Sequence, residues 1–294
     1  MSEAERDPVT GQPTTGHEWN GIKELDTPVP RGVLMFLVVT HVFAILWWVL
    51  MPTWPLGWTY TRGVLDFDLH QVTDQDVRDT RAQRAVWTTQ IDTLPYEQIE
   101  ADPGLMRVVA ETGHRLFGDN CAACHGQDGR GRANFPDLTD NDWLWGHGEP
   151  ETIAETLRVG INSRHDETRF AQMPAFGRDQ LLTSQEVRQA AAYVYSLSHP
   201  ESVTADTSGQ IEAGSEVFMI NCSGCHGETG TGNPDAGIPN LTDAVWLYGG
   251  DLATIVASIH GGRQGHMPTW DERLSSTDIK LLALYVHALG TATP

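Results

Sequence analysis

The chain has few cysteines, and all of them belong to one kind of motif. Among 294 residues there are four cysteines, which form two pairs. Cys121 and Cys124 flank two alanines and precede His125, and Cys222 and Cys225 precede a histidine in the same way. No cysteine is left for a disulfide bridge or a four-thiolate zinc site.

Basic residues are also scarce. The chain has 19 Lys and Arg against 39 Asp and Glu, which gives a formal net charge of −20. Nucleic-acid binding needs a basic surface, so this class of function is excluded. The acidic balance suits a basic protein partner, because opposite charges steer encounter, although it could also serve solubility alone.

One long stretch lacks charge altogether. The 18 residues from Val33 to Leu50 are uncharged, and as a helix they would span roughly 27 Å at about 1.5 Å per residue, close to the hydrocarbon thickness of a bilayer. Tryptophans crowd the C-terminal end of the run, as interfacial aromatic residues do. We expect a single transmembrane anchor at 32–51 and a polar, mostly extended tail at 1–31, with residues 17–22 as a short docking element or disordered.

A cleaved signal peptide is the competing interpretation of this run. It fits poorly, because the apolar stretch is too long, the leader before it is acidic, and no small-residue cleavage site follows. The retained anchor is therefore favoured. His41 lies mid-span, where a histidine more often hydrogen-bonds a neighbouring helix than contacts a cofactor.

The two cysteine motifs read Cys-x-x-Cys-His, the attachment signature of c-type haem. Two thiols add to the two vinyl groups of one porphyrin, and the imidazole that follows binds the iron. Redox or zinc Cys pairs that merely precede histidine would need the same coincidence twice. We predict two covalently bound haem c groups, held by Cys121 and Cys124 and by Cys222 and Cys225, with His125 and His226 as axial iron ligands.

The residues around the motifs form an internal repeat. The cysteine motifs are 101 residues apart, the segments Pro136–Asp140 and Pro239–Asp243 are 103 apart, and Met173-Pro174 and Met267-Pro268 are 94 apart. The first copy therefore has about nine extra residues, which we place at 161–170.

The pattern predicts two duplicated, mainly helical domains after the anchor. We expect a periplasmic connector at 52–104, a first cytochrome c domain at 105–199, a linker at 200–208 and a second cytochrome c domain at 209–294. The fold class is mainly α, with one N-terminal transmembrane helix and two tandem class I cytochrome c-like domains. The expected helices are 73–90, 95–100, 105–118, 150–160, 183–197, 209–221, 250–259 and 275–289.

Met173 and Met267 are the candidates for the sixth ligand of each iron. Both lie in a loop before proline, which keeps the loop from becoming helical. The rival ligands are histidines that do not recur at matching positions: His114, His147, His165, His199, His260, His266 and His287. An iron with both axial positions filled carries electrons and offers no place to a substrate. The haem carboxylates would have Trp143, Trp246, Arg164, Arg169 and Arg263 as candidate partners, unless these side chains only pack or face solvent.

An uncleaved anchor, the tail His17-Glu18-Trp19-Asn20-Gly21-Ile22 and two haem repeats with Met-Pro loops resemble the dihaem subunit (subunit III, CcoP/FixP type) of cbb3-type cytochrome c oxidases. The resemblance covers essentially the whole chain. It implies a single-pass protein of the bacterial inner membrane, with a cytoplasmic N-terminus and periplasmic haem domains. It also implies electron transfer, in aerobic respiration, from a soluble or membrane-anchored cytochrome c through a monohaem cytochrome c subunit to a haem–copper catalytic subunit. This chain itself would hold no catalytic site.

Charge favours a direction for the electrons. Residues 201–294 carry a net charge of −8 and residues 105–200 a net charge of −4, so we expect a basic donor to reduce the second domain first. Two alternatives remain open: a stand-alone membrane-bound dihaem cytochrome c that serves a dehydrogenase, and a dihaem peroxidase, which would need one displaceable iron ligand.

Overall fold

The computed structural model describes residues 5–291. The mainly helical character that the sequence predicts is confirmed. The helices of this part of the chain are α1 (Arg31–Leu50), α2 (Leu69–Thr93), α3 (Tyr96–Glu100), α4 (Pro103–Asn120), α5 (Ala122–His125), α6 (Pro150–Val159), α7 (Ser184–Ser198), α8 (Ser208–Asn221), α9 (Ser223–His226), α10 (Leu252–Gly261) and α11 (Ser276–Thr291). The chain divides into two compact units, one up to residue 83 and one from residue 84 onward.

The first unit contains a β-hairpin and the apolar helix. Strands β1 (Thr14–Trp19) and β2 (Ile22–Leu25) pair antiparallel. Asn20 and Gly21 connect them with φ of +50° and +84°, because a two-residue hairpin turn of this hand requires positive φ at both positions. Helix α1 has a mean hydropathy of 2.5 and, among the described residues, is the one helix long and apolar enough to cross a membrane.

In the second unit, the connector packs on two helices that are far apart in sequence. Ile91 of α2 and Ile99 of α3 are fully buried against residues of α4 and α11. Lys280 of α11 donates a hydrogen bond to the carbonyl oxygen of Leu94 (2.6 Å). The part of the connector in this unit, residues 84–104, is therefore fixed to the helix that opens the first repeat and to the helix that closes the second.

The closing helices are exchanged between the repeats. Helix α4 packs on α11, and α8 packs on α7. A Cβ atom added at Gly113 would lie 2.6 Å from the Cβ of Tyr285, and one added at Gly214 would lie 3.0 Å from the Cβ of Tyr193 and would also meet the carbonyl oxygen of Gln189. Only glycine permits helices to approach this closely at these two crossings.

Each exchanged pair covers its own hydrophobic core. The first core joins Phe117, Ala122, Ile153 and Leu157 of repeat one to Trp270, Ile279, Leu282, Ala283 and Val286 of repeat two. The second joins Leu182, Val187, Ala190, Ala191 and Val194 of repeat one to Phe218, Ile255 and Ile259 of repeat two. In space, therefore, each core combines residues of the two repeats. The repeat boundaries along the chain stay a prediction.

Candidate haem sites

The two cysteine motifs lie on one-turn helices, α5 and α9. Gly126 and Gly227 end these helices with φ of +80° and +76°. In each motif the second cysteine, Cys124 or Cys225, is exposed, and the first is half-buried. Burial raises the pKa of Cys121 and of Cys222 to about 11, so as free thiols both are neutral at pH 7.

The two motif histidines have the same hydrogen bond. The Nδ1 atom of His125 lies 3.2 Å from the carbonyl oxygen of Pro136, and that of His226 lies 3.3 Å from the carbonyl oxygen of Pro239. Each carbonyl accepts the Nδ1 proton, which leaves Nε2 free to bind a metal. Burial lowers the pKa of both histidines, more than the hydrogen bond raises it, so each imidazole is neutral.

The structure brings each candidate methionine to the motif of the other repeat. Met267 packs against the first core, together with Cys121. Met173 packs against the second core, together with Cys222. The sequence alone does not determine which methionine pairs with which motif. Each methionine loop is followed by a closing helix, α7 or α11, and the exchange of these helices brings each methionine to the core of the other repeat.

The two methionine loops cross and are joined by reciprocal backbone hydrogen bonds. Ile161 and Met267 each donate an N–H to the other's carbonyl at 2.9 Å, and Met173 and Arg263 do the same at 2.8 and 3.1 Å. Gly160 and Gly262 precede the crossing with φ of +69° and +70°. A Cβ at Gly262 would lie 2.6 Å from the carbonyl oxygen of Met173, so a larger residue there would push the loops apart.

Three buried side-chain donors lack a partner among the described residues: Ser202 Oγ, Arg169 Nε and Trp246 Nε1. The last two belong to the candidate haem contacts. An unsatisfied buried donor costs about 1–3 kcal/mol, and the carboxylates of a haem are acceptors that would satisfy it. Arg169 stacks over Trp145 at 4.7 Å, and Arg263 stacks over Tyr248 at 4.5 Å, so the repeats carry equivalent arginines. The residues present therefore fit two haem groups.

The remaining candidates are placed differently. Arg164 is exposed, and Trp143 packs against the first core. Several rival histidines have other partners: His114 contacts Tyr285, His287 donates to Gly148 and lies 3.3 Å from Glu100, and His199 stacks on Tyr195.

The sequence reading missed three neighbouring carboxylates, Asp140, Asp142 and Asp243. Burial raises the pKa of Asp140 and Asp142, and the negative charges of the other carboxylates raise it further. The repeats also meet nearby, where Gly146 donates its N–H to the carbonyl oxygen of Pro234 at 3.0 Å. Equivalent segments of the two repeats bring these charges together, so only the fold reveals the cluster.

Asp142→Asn should stabilise the protein at pH 7. A raised folded-state pKa means that the folded state favours the protonated acid, so the stability contributed by protonation is lost as the pH rises through that pKa. The gain in stability from Asp142→Asn should therefore shrink as the pH falls toward about 4, where free carboxyls protonate. Thermal melting at pH 7 and pH 4 measures this gain in stability, with the exposed Asp235→Asn as the control. Equal melting temperatures for Asp142→Asn and the parent chain at pH 7 would contradict the prediction.

One long apolar helix among the described residues, two Cys-x-x-Cys-His turns with neutral imidazoles, and buried donors suited to carboxylates together define a membrane-anchored dihaem c-type cytochrome. Three family models match the chain: the N-terminal domain of cytochrome oxidase-cbb3, FixP, at residues 11–58, cytochrome c at 110–198, and cytochrome C oxidase, cbb3-type, subunit III at 209–286.

Curated relatives extend the match to the full length. The chain is 42% identical to the cbb3-type cytochrome c oxidase subunit FixP of Bradyrhizobium sp. (strain ORS 278), over 98% of both chains. It is 44% identical to FixP of Azorhizobium caulinodans, over 97% of this chain and 95% of the relative, and 41% identical to CcoP of Cereibacter sphaeroides, over 95% and 94%. The chain belongs to the FixP/CcoP family of cbb3-type cytochrome c oxidase subunits. It is a dihaem electron-transfer subunit with two covalently bound haem c groups.

Proposed function

We propose that the two haems have crossed axial ligation. Cys121 and Cys124 would hold haem 1, and His125 and Met267 would be the ligands of its iron. Cys222 and Cys225 would hold haem 2, with His226 and Met173 as ligands. The observation that carries this proposal is the packing of each methionine in the core of the opposite motif.

The chain's own residues prepare this ligation. The Pro136 and Pro239 carbonyls hold the imidazoles in the tautomer with a free Nε2. The crossed loops fix the methionines, whose soft thioethers favour ferrous iron and raise the potential. A bound haem would supply a one-electron ferric/ferrous couple, and a histidine and a methionine on each iron would leave no position for a substrate.

The same proposal covers orientation and partners. Residues 1–31 would lie in the cytoplasm and the haem domains in the periplasm, with α1 crossing the bacterial inner membrane once. The partners would be the haem–copper catalytic subunit and the monohaem cytochrome c subunit of the oxidase, with a soluble or membrane-anchored cytochrome c as donor. Family membership supports a place in an oxidase.

The surface beside the second motif supports haem 2 as the site where the donor binds. Met219 and Ile220 precede this motif and are 41% and 82% exposed. The equivalent residues before the first motif are Gly118 and Asp119. Two adjacent exposed apolar side chains would be covered on contact with a partner, and burial of apolar surface favours association.

Charge around the motifs supports the same choice. Glu216 and Glu228 are exposed beside the second motif, where the first repeat has Arg115 and Gln127. Because the closing segments are exchanged, the residues around each motif differ from the repeats along the chain. Residues 170–266, around the second motif, carry a net charge of −7, and residues 103–169 with 267–291, around the first, carry −5. The overall difference in net charge is therefore small, and the exposed residues beside each motif are the stronger argument.

Haem 1 would then pass the electron on toward the membrane partners.

Exchanging these charges should slow electron uptake. Glu216→Arg with Glu228→Gln gives the second motif the residues of the first, and the rate of reduction by a basic cytochrome c at low salt should fall about tenfold, since electrostatic steering is worth 10–10³. The matched control, Arg115→Glu with Gln127→Glu, should not slow it. Stopped-flow reduction at several ionic strengths measures both, and an unchanged salt dependence in the first variant would contradict donor binding at haem 2.

Purification of the complex through this chain tests the function as a whole. An oxidase subunit should bring b haem and copper with it, in a preparation that consumes oxygen. A stand-alone carrier for a dehydrogenase would yield c haem alone. Protease treatment of sealed spheroplasts tests the orientation, since the haem domains should be cleaved and the N-terminal hairpin protected.

A further inference from the structure

The extra segment of the first repeat contains a residue in an unusual backbone conformation. Asn162 has φ of +48°, a region that asparagine tolerates better than most residues. Its side chain is half-buried. Since the first repeat has about nine residues more than the second between its Trp and Met, this segment is the main asymmetry of the duplication.

The amide of Asn162 binds both methionine loops. Its Nδ2 donates to the carbonyl oxygen of Ala171 at 2.8 Å and to that of Gly265 at 2.7 Å. Its Oδ1 accepts the backbone N–H of Ala171 at 3.2 Å. Ala171 and Gly265 each lie two residues before a candidate ligand, Met173 and Met267. Both N–H groups of one amide are thus used, one on each loop.

The backbone of Asn162 is itself fixed. Its N–H donates to the carbonyl oxygen of Arg169 at 2.8 Å, and the preceding Ile161 exchanges two hydrogen bonds with Met267. The side chain therefore extends from a fixed point to both loops. A metal ligand must be held within a few tenths of an ångström of its productive position by such supporting bonds.

We propose that Asn162 is a positioning residue that sets both methionine loops at once and so couples the ligation of the two haems. This rests on the proposed function, in which Met173 and Met267 are the sixth ligands. One side chain at the crossing would then position both candidate iron ligands, through its hydrogen bonds to their loops. The asymmetric insertion would then be the device that joins the duplicated loops.

The test counts ligated methionines in the oxidised dihaem chain. The weak methionine-to-ferric-iron charge-transfer band has two equal contributors, so a loss of more than half requires that both haems respond. Asn162→Gly keeps the backbone conformation and removes all three side-chain bonds. Asn162→Asp has the same shape and keeps the acceptor, but at neutral pH it loses both donor bonds. Both variants should lose more than half of the band, and both haem potentials should fall in a redox titration.

Asn134→Gly is the matched control. Asn134 also has a positive φ, +68°, and its side chain makes no hydrogen bond to any other described residue, so the band should stay intact. A loss of half or less in both Asn162 variants would overturn the coupling. If Asn162→Gly fails to fold, Asn162→Asp alone decides the outcome.

Two further variants distinguish a failure of this inference from a failure of the proposed methionine ligation. Met173→Leu and Met267→Leu should each remove half of the band. If they do, and the Asn162 variants remove no more than half, the coupling fails while the ligation stands. If neither methionine variant changes the band, the ligation itself fails.

Discussion

In a chain that retains only haem 1, Met267→Leu is expected to abolish the methionine-to-iron band, and Met173→Leu is expected to leave it intact. The single-haem chain is made by Cys222→Ser with Cys225→Ser. The physical reason is the crossing of the loops, which places Met267 in the core of the first motif. Loss of the thioether should also lower the haem 1 potential by on the order of 100 mV, because axial ligands tune haem potentials over about 0.8 V.

The reciprocal chain, Cys121→Ser with Cys124→Ser, should give the reverse result, with Met173 as the sensitive residue. If Met173→Leu instead removed the band of haem 1, the ligation would be uncrossed. Methionine-methyl NMR of the ferrous dihaem chain asks the same question without removing a haem. There the ligated Met267 methyl should show contacts to side chains of the first core, and that of Met173 to side chains of the second.

The second large effect is a loss of stability when the glycine at either helix crossing is replaced by alanine. Gly113→Ala places a Cβ against Tyr285, and Gly214→Ala places one against Tyr193 and a backbone carbonyl. Overpacking of this kind costs about 1–3 kcal/mol. Because backbone is involved at Gly214, the loss there should lie at the upper end, which is a fall of about 6–12 °C in melting temperature for a chain of this size.

The same helices provide matched controls. A Cβ at Gly118 of α4 or at Gly209 of α8 meets nothing within 4 Å. Alanine at these positions should be neutral or stabilising by up to about 1 kcal/mol, because glycine is a poor helix former. Thermal melts of the haem-loaded protein, followed by circular dichroism, compare the four variants. Similar melting temperatures for Gly113→Ala and Gly118→Ala would contradict the close α4–α11 crossing.

Local sequence signals predicted the elements well. Asp102 caps α4 ahead of Pro103, accepting the N–H groups of Gly104 and Leu105, as expected of a turn before a helix. The Asn-Gly pair at 20–21 explains why the polar tail forms a hairpin and not only an extended chain. The cysteine motifs and their half-buried histidines follow equally from spacing, because haem attachment is a strictly local pattern.

Pairing between distant elements could not be predicted in the same way. Duplication gives both opening helices a glycine, Gly113 or Gly214, and both closing helices a tyrosine, Tyr285 or Tyr193. Either pairing would satisfy the same local chemistry, so the sequence does not distinguish the exchanged arrangement from the unexchanged one. The contacts of Asn162 with both loops could not be foreseen for the same reason, since they exist only where the loops cross.

The exchange of closing helices has a consequence for biogenesis. A polypeptide is synthesised from its N-terminus, so the first motif emerges well before the second. Yet the pocket around Cys222 is complete once residues up to α10 have emerged, whereas the pocket around Cys121 stays open until α11 arrives. The first motif to be synthesised is therefore the last to be covered. A chain truncated before α11 would leave a haem at Cys121 exposed to solvent.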